Sequence, residues 1–186
     1  MNRRIGFLMI AVCMLATQPA WAQSNLGLKS GGVAVSMVSP ENIDASFGIG
    51  VFADHGTIAP RWGIESRLDW WSHSESAFGM DASISDVTLG ARTKYQFPVS
   101  NPTLQPFAGF GVGMHFLSAE VVALDPFTGT AFKATSSESR VGFDFGGGIQ
   151  MPMSPGMNFV GEGWYSIVSD FNQFSLRAGI SRNFGR

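Results

Sequence analysis

The sequence predicts an all-β chain, an eight-stranded antiparallel up-and-down transmembrane β-barrel behind a cleaved N-terminal signal peptide. Three observations predict it. Apolar and polar residues alternate with period two in successive segments, the pattern of a strand with one apolar and one polar face. Large aromatics fall near both ends of the apolar faces. The polar faces are rich in Gly, Ser, Asn and Thr and poor in Lys and Glu, whereas a water-facing surface carries about a quarter to a third charged residues.

The amino terminus comes first. Asn2, Arg3 and Arg4 precede the apolar run Ile5 to Ala16, which breaks at Gln18-Pro19 and reaches the small-x-small Ala20-Trp21-Ala22 before Gln23. That is the layout of a removable signal, and the run is too short to cross about 30 Å of hydrocarbon as a helix. Cys13 is not read as a lipid-bearing cysteine, because Met14, Leu15 and Ala16 continue the apolar core beyond it. The division is therefore residues 1–22 as signal and 23–186 as barrel domain, which leaves 164 of 186 residues for a single domain. Arg3 and Arg4 leave with the signal, so 12 Lys+Arg become 10 against 14 Asp+Glu, a balance of −4. This excludes a basic nucleic-acid surface. The single cysteine is also lost, and with it any disulfide or thiolate site.

The strands follow in order. The first, about 27–37, is Gly-rich. The second sets Ile43, Ala45, Phe47, Ile49 and Val51 against Asp44, Ser46, Gly48 and Gly50. The third sets Trp62, Ile64, Leu68 and Trp70 against Gly63, Glu65, Arg67 and Asp69. The fourth opposes Val87, Leu89, Ala91, Thr93, Tyr95 and Phe97 to Thr88, Gly90, Arg92, Lys94 and Gln96. In the fifth, Ala108, Phe110, Val112, Met114 and Phe116 oppose three glycines and His115. The sixth carries Val141, Phe143, Phe145 and Ile149 against Arg140, Gly142, Asp144, Gly146 and Gly148. The seventh, about 158–168, breaks the rule by placing Val160 and Trp164 on the parity of Glu162. The eighth opposes Phe174, Leu176, Ala178, Ile180 and Phe184 to Ser175, Arg177, Gly179, Ser181 and Asn183.

Compact Pro-bearing turns follow the second, fourth and sixth strands, and polar loops follow the others, the longest from Ala119 to Ser137. Short turns on one side and longer loops on the other are the habit of an outer-membrane barrel. Trp62 and Trp70, and Phe174 and Phe184, share a face at separations that project to roughly 20–25 Å along a tilted strand, the height of an apolar band between aromatic girdles. The inward parity carries Arg67, Arg92, Lys94, Arg140 and Arg177 with Glu65, Asp69, Asp144 and Glu162. Nearly balanced charges in a confined interior are expected to pair and fill the barrel, since unpaired ones are expensive there.

Two segments carry a family resemblance. Leu104-Gln105-Pro106-Phe107-Ala108-Gly109-Phe110-Gly111-Val112-Gly113 and the closing run from Phe174 to Phe184 resemble the small eight-stranded outer-membrane barrels of the opacity-protein and outer-membrane-protein-A transmembrane-domain type. The resemblance covers the signal and essentially the whole chain. It implies a monomer in the outer membrane of a Gram-negative-type cell, surrounded by outer-membrane lipid and lipopolysaccharide. It also implies that the outer-membrane insertion machinery reads the last strand, with Phe184 as the signal. Family members usually end on that aromatic, whereas Gly185 and Arg186 follow it here.

Chemistry is sparse. His55, His73 and His115 are read in a turn, a loop and a strand end, without metal-ligand spacing, and no cofactor is expected. Gly146-Gly147-Gly148 lies within a strand and reads as close packing rather than a phosphate cradle. One family of small barrels deacylates lipid A with a His-x-Ser pair on its seventh strand. The similar place here is Trp164-Tyr165-Ser166, where Trp164 replaces the general base that Ser166 would need. His73-Ser74-Glu75 is read in a loop, its side chains apart. Eight strands are too few for a wide aqueous channel. The function expected is non-enzymatic, structural or surface-interacting through external loops, with Leu124, Asp125 and Phe127 as candidate contacts for an extracellular ligand. A lipid A deacylase, a small solute pore and a soluble periplasmic ligand-binding barrel are the alternatives.

Overall fold

The computed structural model describes residues 25–77, 80–101, 103–124, 131–169 and 171–184. Residues 1–24, which include the segment read as a signal, lie outside them. The eight strands are β1 (Asn25–Pro40), β2 (Ser46–Ala59), β3 (Trp62–Ala77), β4 (Met80–Gln96), β5 (Gln105–Leu124), β6 (Ala131–Ser154), β7 (Met157–Val168) and β8 (Gln173–Asn183). Each pairs antiparallel with the next, and β8 pairs with β1 to close the barrel. One row of partners runs Ser30, Asp54, Glu65, Arg92, Gly111, Asp144, Ser166, Gln173 and back to β1 at Pro40. The row returns ten residues from its start, a stagger that tilts eight strands by about 40°.

The faces are those the alternation predicts. Val33, Val35, Phe47, Ile49, Leu68, Leu89, Phe110, Val112, Phe143, Ile167, Leu176 and Ile180 are exposed on the outside, while Glu65, Arg67, Thr88, Arg92, Asp144, Glu162, Ser166 and Arg177 are buried inside. A soluble calyx reverses this arrangement. Aromatics mark both rims: Phe47, Trp70, Phe116 and Phe174 lie toward the outer end, and Phe97 and Phe184 toward the end holding the termini. At the latter, Trp62 and Tyr95 pack with ring centroids 5.2 Å apart, as do Tyr95 and Phe97.

Where β7 broke parity, the reason is now visible. Val160, Glu162 and Trp164 all point inward, because one wall of the lumen is apolar: Ala34, Phe52, Phe107, Val160 and Trp164 form a cluster inside the barrel. The opposing β6 glycines make room. A Cβ on Gly148 would sit 2.2 Å from the Gly161 carbonyl oxygen and 2.7 Å from the Glu162 Cβ. These glycines are packing residues.

The largest departure from expectation is at the outer end. The segment Ala119 to Ser137, read as a polar loop, is mostly strand: β5 runs to Leu124 and β6 starts at Ala131. Likewise β3 continues to Ala77 and β4 begins at Met80, so His73-Ser74-Glu75 lies in a strand. His55 and His115 also lie within strands rather than in a turn and at a strand end. The ring itself stops lower, because the last β6–β7 rung is Gly142↔Val168 and the last β2–β3 rung is Gly48↔Trp71. Above these rungs β3, β4, β5 and β6 stand alone as a four-stranded sheet. Above the Gly142 rung β5 (114–124) and β6 (131–141) each contribute eleven residues, which raises the sheet by roughly 25–30 Å at this tilt.

Candidate functional site: the charged lumen and the outer sheet

Two places concentrate polar side chains, the middle of the lumen and the sheet above it. In the lumen, Arg67 pairs with Asp69 and, at 2.7 Å, with Asp144. Arg92 reaches Asp144 at 3.3 Å and Glu162 at 3.7 Å. Lys94 bridges Glu65 at 2.5 Å and Glu162 at 3.0 Å. Arg177 joins Glu162 at 2.6 Å and Asp69 at 3.1 Å. Four cations and four carboxylates thus form one connected, formally neutral set. Burial makes this balance necessary, since breaking a buried pair strands a charge.

Eight of the nine charges assigned to the interior from sequence belong to this set. Arg140 does not. It sits on β6 just above the last rung of the ring, where it donates to Glu138 and to the Ser169 carbonyl and so ties the sheet to the low rim. Alternation gives the correct inward parity for Arg140 but not its height, which depends on where β7 ends.

The ionic layer is flanked by apolar side chains. Beside it lies the apolar cluster around Trp164, which on β7 stands two residues to the outer side of Glu162 and carries the Arg92 guanidinium 3.9 Å from its ring centroid. Toward the outside, His115 Nδ1 meets Asp86 at 2.7 Å and Thr88 at 3.0 Å, all three fully or nearly fully buried. At their level Val38, Trp71, Val168 and Phe171 line the mouth, with Trp71 opposite Asp86 in register and stacked on Phe171 at 6.0 Å. The cavity at the terminal end, between Ser30, Asp54, Lys94 and Gln150, has a volume of about 30 Å³, room for one or two waters. The Asp86–Thr88–His115 cluster and the inward Trp71 were not read from the sequence, although the polar parity of β4 and β5 would have placed Asp86 and His115 together.

Ser166, standing where the nucleophile of a lipid A deacylase would be, faces the lumen and donates to Asp144 at 2.6 Å. Facing the lumen, it does not meet an acyl chain of the surrounding bilayer. His73 and Glu75 share the inner face of β3 at 3.1 Å, and His73 Nδ1 also meets Ser46 Oγ at 2.9 Å. Ser74, with the opposite parity, takes no part in this chain, and Ser46 is only 6% exposed. Among the described residues no group of His, Cys, Asp and Glu has metal-site geometry.

The outer sheet has two different faces. Register aligns Met80, Ala123 and Phe132 on the inner face, above Ala82, Val121 and Ala134, with Ile84, Ala119 and Ser136 below. On its outer face Ser72, Ser85, Ser118 and Ser137 form a row, and Ser74, Ser83, Glu120 and Thr135 another. Leu124 is the last residue of β5, paired with Ala131. Asp125 and Phe127 lie outside the described residues. Phe184 follows Asn183 at the end of β8, exposed on the outer wall, its amide donating to the Lys29 carbonyl at 2.7 Å.

The model of the outer membrane protein beta-barrel domain matches residues 5–184. The chain belongs to that family. Its place is the outer membrane, so the end carrying the termini is periplasmic and the four-stranded sheet is external. No curated protein matches it in sequence. Among solved structures it is similar to Ail, the attachment invasion locus protein of Yersinia pestis, at 14% identity over 85% of this chain and 100% of that one, TM-score 0.56. It is similar to Neisserial surface protein A at 14% identity, covering 83% of this chain and 95% of that one, TM-score 0.58. A major outer membrane protein from Thermus thermophilus matches at 15% identity over 85% of this chain and 100% of that one, TM-score 0.60. At these identities the likeness is one of fold.

Proposed function

We propose that this outer-membrane barrel is a non-enzymatic, sealed anchor that presents its external sheet as an interaction surface. The observation that carries the reading is the ionic layer packed among two apolar clusters that fill the lumen, with an ordered four-stranded sheet above them. A filled lumen argues against a solute pore, and the inward Ser166 argues against deacylation. The apolar wall is covered by outer-membrane lipid, with lipopolysaccharide in the outer leaflet. Closure of β8 on β1 within one chain leaves no strand edge in the bilayer, which favours a monomer. The strand ending at Phe184 is the segment offered to the insertion machinery.

The Yersinia protein is named for attachment and invasion, and one of its structures holds the heparin analogue sucrose octasulfate. The external surface here has the wrong sign for such a polyanion. Its described charges, apart from the enclosed Asp86, are Glu41, Asp44, Glu75, Asp81, Glu120 and Glu138 against Lys133 and Arg140. This chain is therefore suited to a different, cationic partner.

Two measurements test the reading. Purified wild-type protein in planar bilayers is expected to give no discrete conductance steps; reproducible steps favour the pore instead. Replacing residues 119–136 by an Asn-Gly hairpin turn between Ser118 and Ser137 is expected to leave a barrel that still changes gel mobility on heating in SDS. Failure of that variant to assemble makes the outer sheet a folding element rather than a display surface.

A further inference from the structure

The lipid-facing wall of the closed ring is almost free of charge. Among the described residues its outward positions hold no Asp, Glu, Lys or Arg except Lys29 and Arg182, both at the periplasmic end. The two are neighbours across β1 and β8. Arg182 pairs with Gly31 in register, and the Phe184 amide donates to the Lys29 carbonyl on the next outward row below. Outward residues placed diagonally on adjacent strands stand roughly 7–8 Å apart, so two long cationic side chains there can share one phosphate group. The ring of Phe184 lies over Gly31 beside them, where a Cβ would come within 2.9 Å of its Cζ.

Neither cation has a carboxylate partner among the described residues. Lys29 Nζ donates to the neutral Asn25 Oδ1 at 2.7 Å. Asp54, opposite Ser30 on β2, lines the cavity at the terminal end and accepts from the Gly56 amide at 2.6 Å. The positive charge of the pair is left uncompensated.

Above the pair the wall is hollow. Two open apolar hollows, of about 610 and 420 Å³, adjoin at Val35 and Ala178. The first begins at Ile180 and Val33, the outward positions directly above Arg182 and Gly31. The second is floored by Gly161 and Gly163, whose missing side chains leave Ile149 and Leu176 standing as walls. From Arg182 to Leu176 the wall climbs about 15 Å at this tilt, half of a hydrocarbon core of about 30 Å. Beside β8 and β1 the hollows therefore run from the periplasmic headgroups to the middle of the bilayer, the depth of one leaflet.

We propose that this side of the barrel binds one anionic glycerophospholipid of the periplasmic leaflet, its phosphate on Lys29 and Arg182 and its acyl chains in the hollows around Ala178. The guanidinium donates two parallel hydrogen bonds to phosphate oxygens, and the ammonium adds a point charge. The hollows select a lipid over a free phosphate. The two uncompensated cations select an anionic headgroup over a zwitterionic one, whose own ammonium would be repelled. The site straddles the seam where β8 closes on β1, and only the folded barrel brings those strands together, so the bound lipid stabilises the closed ring. It lies at the opposite end from the external sheet and does not depend on what that sheet binds.

The test uses the full mature protein in neutral detergent micelles, mixed with equal amounts of dioleoyl phosphatidylglycerol, phosphatidylethanolamine and phosphatidylcholine. Native mass spectrometry counts the lipid each barrel retains. One phosphatidylglycerol per barrel is expected, favoured at least fivefold over either zwitterionic lipid. The double variant Lys29→Gln with Arg182→Gln is expected to lose that preference while keeping the heat-dependent mobility shift. Ala178→Phe fills the place where the hollows meet and is expected to lower phosphatidylglycerol retention at least fivefold. Excess inorganic phosphate tests the same point without a substitution and is expected to displace nothing.

Equal retention of the three lipids overturns the anionic assignment. A preference for phosphatidylglycerol that survives in the double variant places the headgroup elsewhere. Displacement by inorganic phosphate, or full retention in an assembled Ala178→Phe barrel, removes the acyl chains from the hollows and overturns the lipid site.

Discussion

Asp144→Ala is expected to destabilise the barrel by about 3–5 kcal/mol, the usual cost of removing one partner from a buried ion pair. Asp144 is at the centre of the lumen, where its carboxylate accepts from Arg67 at 2.7 Å, Arg92 at 3.3 Å and the Ser166 hydroxyl at 2.6 Å. Its side chain has no solvent exposure. Removal therefore leaves two guanidiniums competing for Asp69 and Glu162, which already hold Arg177. The measurement is the urea unfolding midpoint in phospholipid vesicles, followed by tryptophan fluorescence and by gel mobility. A second variant separates lost charge from lost volume. Arg92→Met keeps a long side chain against Trp164, whose ring now lies 3.9 Å from the guanidinium, and removes the charge that Asp144 neutralised. The double variant is expected to be more stable than Asp144→Ala alone, since discharging both members of a buried pair is far less costly than discharging one. A double variant no more stable than Asp144→Ala means that shape, not charge balance, holds the lumen.

Much of this molecule was legible in the sequence because a membrane barrel imposes an alternation with strong contrast. Outward residues meet hydrocarbon and inward residues meet one another, so Leu176 and Arg177 declare their sides by composition alone. The ionic layer followed from parity and register for the same reason. Contrast fades above the membrane, where both faces of a sheet meet water. From Ala131 to Ser139 small, polar and charged residues stand on both parities, and the hydropathy signal that marks a strand is absent, so the segment read as loop. Arg140 was misplaced for a related reason: the height at which β7 ends is set by the whole barrel's stagger, not by the β6 sequence. Trp164 was anomalous only on the assumption that the lumen is polar throughout. An eight-stranded lumen has to be filled, and here Trp164, Phe52 and Phe107 fill part of it.

The second large effect concerns the opposite face. Leu176→Arg is expected to cost about 2–4 kcal/mol, the range for Arg at the midplane of a barrel's lipid face. Leu176 is exposed on the outer wall, paired with Met37 of β1 and Gly163 of β7. Its neighbour Arg177 belongs to the ionic layer at the middle of the lumen, which puts Leu176 near the middle of the apolar band. An arginine there is far from both headgroup layers, and among the described residues the carboxylates at its height point into the lumen. The same substitution at Val141 is the control. That residue is also exposed, but it lies just above the last β6–β7 rung, so its guanidinium reaches the outer headgroups and the cost falls to about 0–1 kcal/mol. Both variants are to be unfolded by urea in the same phospholipid vesicles. A large gap between them reports a depth-dependent lipid environment around this wall. Equal costs mean that depth in the bilayer does not set the penalty, and the band assigned between the two aromatic rims is then misplaced along the strands.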